Sequence, residues 1–152
     1  MQYSKQGLAL TEQFEAASGP VLKAYWDALG KVWTIGWGHT GPEVVEGLVW
    51  TYQQCVDALQ SDMAWANNVV NSLKLSLTQG EHDGLVDFVF NVGAHAFLTS
   101  TMCVYLKQGN MTLAALEFEK WDHAGGLVVA GLLRRRTAEE LMFTSDASQT
   151  SS

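Results

Sequence analysis

The chain has little cysteine, proline or positive charge: two cysteines, two prolines and nine lysines and arginines in 152 residues. Two cysteines are too few for a disulfide framework. Cys55 and Cys103 both fall among apolar residues on predicted helix faces, where buried free thiols are expected. Against 9 basic side chains stand 16 acidic ones, for a formal charge of −7. Three of the basic ones are Arg134, Arg135 and Arg136, so most of the surface is acidic. Such a surface neutralises no phosphate, which excludes nucleic acid and anionic membrane surfaces as partners. No apolar run approaches about 18 residues, and no charged-then-apolar leader opens the sequence. The expectation is a soluble protein, made in the cytoplasm, without membrane insertion. His82, His95 and His123 lack metal-ligand spacing, and neither phosphate-loop pattern occurs. No metal and no cofactor is expected.

What is present is apolar. The hydrophobic fraction is 47%, with six Trp and six Phe, enough for the core of one domain or of two small lobes sharing a helix. Residues 4–17 read as a helix with Ser4 as its cap and Gly19-Pro20 as its stop. Lys23–Trp26 and Val32–Trp37 read as strands with Gly30 at the turn between them. From Thr51, which reads as an N-cap, apolar residues at helical spacing predict a long connecting helix to residue 73. Thr78 and Glu81 form a capping-box pattern before an apolar helix. Ser100 caps a short helix that stops at Gly109, Thr112 caps a segment to Trp121, and Gly125-Gly126 break the chain. A last helix runs from Gly131 to Phe143, and residues 144–152 read as a flexible tail. Strands in one place and helices in another indicate an α+β fold.

The most informative stretch runs from Asp27 to Thr40. It carries a carboxylate, a hydroxyl and an imidazole along one tight hairpin, with a second carboxylate, Glu15, ending the helix before it. Two acids held apart, with a hydroxyl beside one of them, are what acid-catalysed cleavage of a sugar–sugar bond requires.

These residues also carry a resemblance. Phe14-Glu15, then Leu22-Lys23-Ala24-Tyr25, Asp27 and TIGWGHTG (residues 34–41), then Phe90-Asn91-Val92-Gly93-Ala94 with Ser100-Thr101, and finally Trp121, Gly125-Gly126 and GLLRRR (131–136) with Glu139, resemble in order and spacing the phage-type lysozymes of glycoside hydrolase family 24. The resemblance covers residues 8–143. It implies a lysozyme-like fold: a small lobe over 15–50, a connecting helix over 51–73, a helical lobe over 74–143 with the N-terminal helix, and a cleft between the lobes. It implies an endolysin-like muramidase that hydrolyses the β-1,4 bond between N-acetylmuramic acid and N-acetylglucosamine of peptidoglycan. Its roles fall on Glu15 as general acid, Asp27 as the opposed carboxylate and Thr34 as the hydroxyl that holds water. A monomer is expected, and the resemblance implies synthesis in the host cytoplasm with release that depends on a separate holin.

Eleven residues separate Glu15 from Asp27 and six separate Asp27 from Thr34, longer intervals than the family's. The turn-forming Ser18-Gly19-Pro20 absorbs the first. In the hairpin a one-residue shift turns side chains to the other face, and Gly30 offers a longer turn or a bulge. If Asp27 is displaced, Glu15 acts alone, as in lytic transglycosylation, or the fold serves as a non-hydrolytic wall-binding module. The resemblance also implies a His39–Asp62 ion pair bracing the small lobe. It implies that Arg135 and Arg136 dock toward Glu12 or Glu15, and that Asn91 contacts substrate. Ser100 is foremost a cap and secondarily a sugar contact. Trp37 serves either sugar stacking or core packing.

Overall fold

The computed structural model describes residues 1–16 and 18–145, which divide into two compact units: residues 1–10 with 65 onward, and Thr11–Ala64. The elements run α1 (Lys5–Glu15), β1 (Val21–Asp27), β2 (Val32–Gly36), α2 (Tyr52–Asp62), α3 (Ala64–Ser72), α4 (Gln79–Val92), α5 (Ala94–Leu98), α6 (Thr101–Lys107) and α7 (Met111–Glu117). A 3-10 turn (Phe118–Trp121), β3 (His123–Ala124), β4 (Leu127–Val128) and α8 (Ala130–Ser145) complete a mixed α+β architecture.

In the Thr11–Ala64 unit, β1 and β2 pair antiparallel with Asp27 opposite Val32, Trp26 opposite Trp33 and Tyr25 opposite Thr34. Side chains alternate along a strand. Trp26, Trp33 and Ile35 therefore share one face, and Tyr25, Asp27, Val32 and Thr34 share the other. The first face holds the core. Ile35 packs with Ala24 and Val44, and Trp33, Leu48 and Trp50 cover them. Residues 48–50 lie beside β1, where the Ala24 N–H donates to the Leu48 carbonyl (2.9 Å) and the Trp50 N–H to that of Leu22 (2.8 Å). Between Val21 and Tyr25 the register shifts, which takes up the extra length ahead of Asp27.

In the other unit α4 is buried along nearly its whole length. Its apolar residues centre on Phe88, whose ring meets Phe118 (5.4 Å), Trp121 (5.5 Å) and Phe97 (6.2 Å) edge-on. Trp121, half-buried, thus packs against this core. A buried helix cannot leave polar groups unpaired without a penalty, and each one here has a partner. His82 Nε2 lies 2.8 Å from Asn67 Oδ1, and burial pushes its pKa down, so the imidazole stays neutral. Asp83 accepts from the Ser4 N–H (3.1 Å) and from Gln79 Nε2 (2.8 Å). Asp87 takes Arg135.

Several predicted elements are altered. The helix expected over 51–73 forms as α2 and α3, offset at the buried Met63. Its ψ of −7° flattens the backbone for one residue, and its N–H is shared between the Leu59 and Ser61 carbonyls. The predicted Thr51 cap is present and is reinforced by Gln54. Asn110, not Thr112, caps α7, because its Oδ1 accepts the Leu113 N–H (3.1 Å). Gly125-Gly126 form the turn of the small β3–β4 hairpin. Thr144 and Ser145 belong to α8. The rest of the predicted tail, 146–152, and Ala17 of the first predicted helix lie outside the described residues. Cys55 and Cys103 are free and buried.

The α4–α8 contact depends on Gly84. A Cβ there would sit 2.7 Å from the Glu139 carbonyl oxygen and 3.3 Å from Phe143. Backbone cannot yield as a side-chain tip can. Gly84→Ala is expected to lower unfolding free energy by about 1–3 kcal/mol, measured by urea titration.

Candidate active site

Glu15 is the last residue of α1, and its side chain is exposed. Glu12, one turn earlier, has its carboxyl pKa raised by burial. Both precede the turn into β1.

Asp27 ends β1. Its Oδ1 accepts the Leu29 N–H (3.0 Å), so the carboxylate folds back over the loop as an Asx-turn. The loop between the paired Asp27 and Val32 is residues 28–31. Lys31, rather than Gly30, takes the left-handed conformation, with φ of 54°. Gly30 has a different task. A Cβ on it would lie 2.8 Å from Asp27 Oδ2, so glycine makes room for the carboxylate. The extra hairpin residue is therefore housed in the loop, and the pairing beyond it keeps its alternation. Asp27 and Thr34 stand on the same face as diagonal cross-strand neighbours. Thr34 is 4% exposed, and its hydroxyl donates to the Val32 carbonyl at 3.4 Å, a long contact.

His39 follows from the glycines around it. Gly36 (φ 67°) and Gly38 (φ 81°) turn the chain back sharply, and Ile35 and His39 exchange backbone hydrogen bonds of 3.0 and 2.8 Å. Only glycine adopts these dihedrals freely. The ring then bridges two acids, with Nδ1 2.8 Å from Asp62 Oδ2 and Nε2 2.6 Å from Glu43 Oε1. It also tilts against Trp50 at 5.3 Å. Two carboxylates call for two N–H donors, which only the imidazolium has. Burial lowers the His39 pKa, but the bonds to Glu43 and Asp62 outweigh it and the net shift is upward. This clamp stabilises the fold fully below the ordinary imidazole value of about 6.5 and is lost as pH rises through the higher folded value. His39→Asn is therefore expected to depress the thermal midpoint at pH 5.5 and to lose most of that effect by pH 9. An equal depression at both pH values would exclude the imidazolium clamp. Glu43 was not singled out in the sequence. Its spacing of four from His39 was visible, but Gly41-Pro42 between them hides the approach.

For Trp37 the structure shows the core-packing alternative. Its side chain is buried, 6% exposed, and packs edge-on to Tyr52 at 5.6 Å. A sugar face needs an open ring, and this one is consumed by packing.

The remaining candidates lie in the other unit. Ser100 is buried. Its Oγ donates to the Phe97 carbonyl (2.6 Å) and accepts the Cys103 N–H (3.1 Å), so the hydroxyl is spent on capping α6. Asn91, near the end of α4, is exposed, and its Oδ1 accepts from Arg136 Nη2 at 2.8 Å. Arg135 grips Asp87 with two bonds, Nε to Oδ2 (2.9 Å) and Nη2 to Oδ1 (2.8 Å). Arg136 is fully buried against Glu139. Among the described residues no cluster of His, Cys, Asp and Glu could hold a metal ion.

The phage lysozyme family profile matches residues 13–139. The endolysin of Bacillus phage PZA is 42% identical over 147 residues, which are 95% of this chain and 56% of that protein. The chain thus spans little more than half the length of that relative. Among solved structures, a P22 lysozyme variant superposes with a TM-score of 0.83 at 34% identity, covering 94% of this chain and 98% of the other. The muramidase domain of SpmX from Asticaccaulis excentricus gives a TM-score of 0.79 at 33% identity, with coverages of 93% and 97%.

Proposed function

The chain belongs to the phage lysozyme family, and on that premise we propose that it is an endolysin-type muramidase. Its reaction is hydrolysis of the β-1,4 bond between N-acetylmuramic acid and N-acetylglucosamine of peptidoglycan, with lysis of the wall as the outcome. Glu15 protonates the leaving glycosidic oxygen, Asp27 stays ionised opposite it, and Thr34 helps hold the attacking water. The observation that carries the reading is the hairpin register, which keeps Asp27 and Thr34 on one face in spite of the longer loop.

The chemistry follows from the residue types. A glycosidic oxygen leaves poorly unless a proton reaches it as the bond breaks. The oxocarbenium-like carbon then needs a nearby negative charge, and Asp27 supplies one. Its carboxylate is oriented by the Leu29 backbone N–H. A hydroxyl beside that carboxylate favours water as the nucleophile, and hence inversion over a covalent intermediate.

The test is cleavage of purified peptidoglycan followed by mass spectrometry and NMR of the products. Reducing N-acetylmuramic ends with the inverted anomer support the assignment. Anhydro ends would replace it with transglycosylation, and no cleavage would leave only a wall-binding module. No helix among the described residues is long and apolar enough to cross a membrane. We place synthesis in the host cytoplasm, as a monomer, with access to the wall through a separate holin.

A further inference from the structure

The face of the hairpin that carries Asp27 and Thr34 continues past them along β1. Ala24 packs in the core with Ile35 and Val44. Side chains alternate along a strand. Lys23 and Tyr25, on either side of Ala24, therefore stand on the opposite face, with Asp27 two residues further on. The neighbouring segments agree. Tyr25 lies directly opposite Thr34. Lys23 bridges Val49, while Leu48 and Trp50, on either side of Val49, cover the core. Lys23, Tyr25 and Asp27 thus form one row, each about 7 Å from the next.

The row is open. Tyr25 is 44% exposed, and Lys23 is exposed too. Trp37 has its ring enclosed, so Tyr25 is the aromatic that presents itself beside the paired Asp27 and Thr34. A pyranose offers a C–H face to such a ring, and a tyrosine combines an apolar body with a polar tip. Tyr25 belongs to a paired strand, so the ladder fixes its place relative to Asp27. Lys23 stands out by charge. Between residues 11 and 64 the sequence has seven acids, two lysines and no arginine. The other lysine, Lys31, lies in the loop 28–31, so Lys23 is the cation of the row. Neutral N-acetyl sugars make no use of an ammonium. A muramic residue does, because its lactyl group carries a carboxylate or a peptide with carboxylates.

We propose that Tyr25 and Lys23 select the substrate: Tyr25 is the platform for the sugar next to the reacting bond, and Lys23 takes a carboxylate from the lactyl group or peptide of a muramic residue. The inference rests on the muramidase reading and adds to it the side chains that favour peptidoglycan over neutral polymers of N-acetylglucosamine. Both are binding residues, and neither moves a proton. Their contacts form in the ground state and persist in the transition state, so their loss raises KM and leaves kcat near its native value.

The test is steady-state cleavage of a soluble peptidoglycan fragment by the whole chain, beside the same fragment with its carboxylates converted to methylamides. Tyr25→Ala is expected to raise KM about tenfold on both, the effect of one aromatic anchor. Tyr25→Leu, which keeps an apolar strand residue, is expected to behave alike, and Tyr25→Phe to restore most of the loss. Lys23→Gln is expected to raise KM about threefold on the native fragment, the scale of one exposed ion pair, and to leave the methylamide unchanged. It should also remove most of the salt dependence of KM. Unchanged KM in both Tyr25→Ala and Tyr25→Leu overturns the platform, and so does a loss confined to kcat. An equal effect of Lys23→Gln on the two fragments overturns the carboxylate contact. If the native chain cleaves neither fragment, the muramidase reading falls, and calorimetric titration of the uncleaved fragments decides the row by itself. Weaker binding in Tyr25→Ala and Lys23→Gln then sustains it, and unchanged binding overturns it.

Discussion

Glu15→Gln is expected to reduce the rate of lysis of outer-membrane-permeabilised cells by about 10²–10⁴-fold, the scale of general acid catalysis. The amide keeps the shape of the carboxyl and its hydrogen-bonding reach but has no acidic proton to deliver. Binding to sacculi should therefore survive while turnover falls, which identifies an interaction made only in the transition state. Glu12→Gln is the informative control. Glu12 shares the helix, lies one turn away and has its pKa raised by burial, so on protonation alone it is the rival acid. It belongs to the turn before the one that leads into the hairpin, and its amide variant should lyse cells at close to the native rate. The opposite pattern, with Glu12→Gln inactive and Glu15→Gln active, would move the acid by one turn. Asp27→Asn should fall nearly as far as Glu15→Gln, since an amide cannot stabilise a developing cation. The single and double variants should not be additive, because the two carboxyl groups act in one step.

The hairpin shows how far the sequence could be read. Alternating aromatic and β-branched residues around Gly30 fixed two strands, and the observed bounds differ by one or two residues. The loop was less legible. A glycine at a turn suggests positive φ, yet Lys31 takes that conformation and Gly30 is needed for space beside Asp27. Steric room for a neighbouring side chain leaves no periodic trace. The same holds at Met63. Apolar spacing runs unbroken from Tyr52 to Leu73, and a single flattened ψ divides the helix without disturbing that pattern. Capping was readable where a threonine opened the apolar spacing at Thr51 and where one preceded Glu81 by three at Thr78; the Gln54 half of the first box was not. At α7 the cap is Asn110 and not the expected Thr112, because the helix starts at Met111 and the Asn110 Oδ1 reaches the Leu113 N–H. The buried partners of α4 were least legible. The helix reads as apolar, and the pairing of its His82, Asp83 and Asp87 with Asn67, Ser4 and Arg135 is a set of long-range contacts that no local pattern announces.

Arg136→Met is expected to lower the stability of the fold by about 3–5 kcal/mol, the cost of leaving a buried ion without its counterion. Arg136 and Glu139 are both fully buried, with Nε 2.5 Å from Oε1 and Nη2 3.1 Å from Oε2. The shorter contact is not aligned as a hydrogen bond, so much of the interaction is Coulombic. The guanidinium also lies 5.0 Å over the Phe88 ring and donates to Asn91. Burial pushes the Glu139 pKa well up, and the Asp87 carboxylate adds to that, against the pull of Arg136 and Arg135. Methionine in place of Arg136 fills most of the volume but removes part of that pull, so Glu139 rises further. A raised carboxyl favours the fold below its unfolded value of about 4.3 and burdens it as pH rises through the folded one. The loss in Arg136→Met should therefore be larger at pH 8 than at pH 5. Glu139→Leu alone strands the arginine and should lose a similar amount. The double variant, with an apolar pair where the ions were, should lose far less than the sum of the two, since a buried ion pair replaced whole by apolar groups is often neutral. Urea unfolding of the four proteins at both pH values measures the coupling. Additive losses with no pH dependence would mean that the two residues serve packing alone.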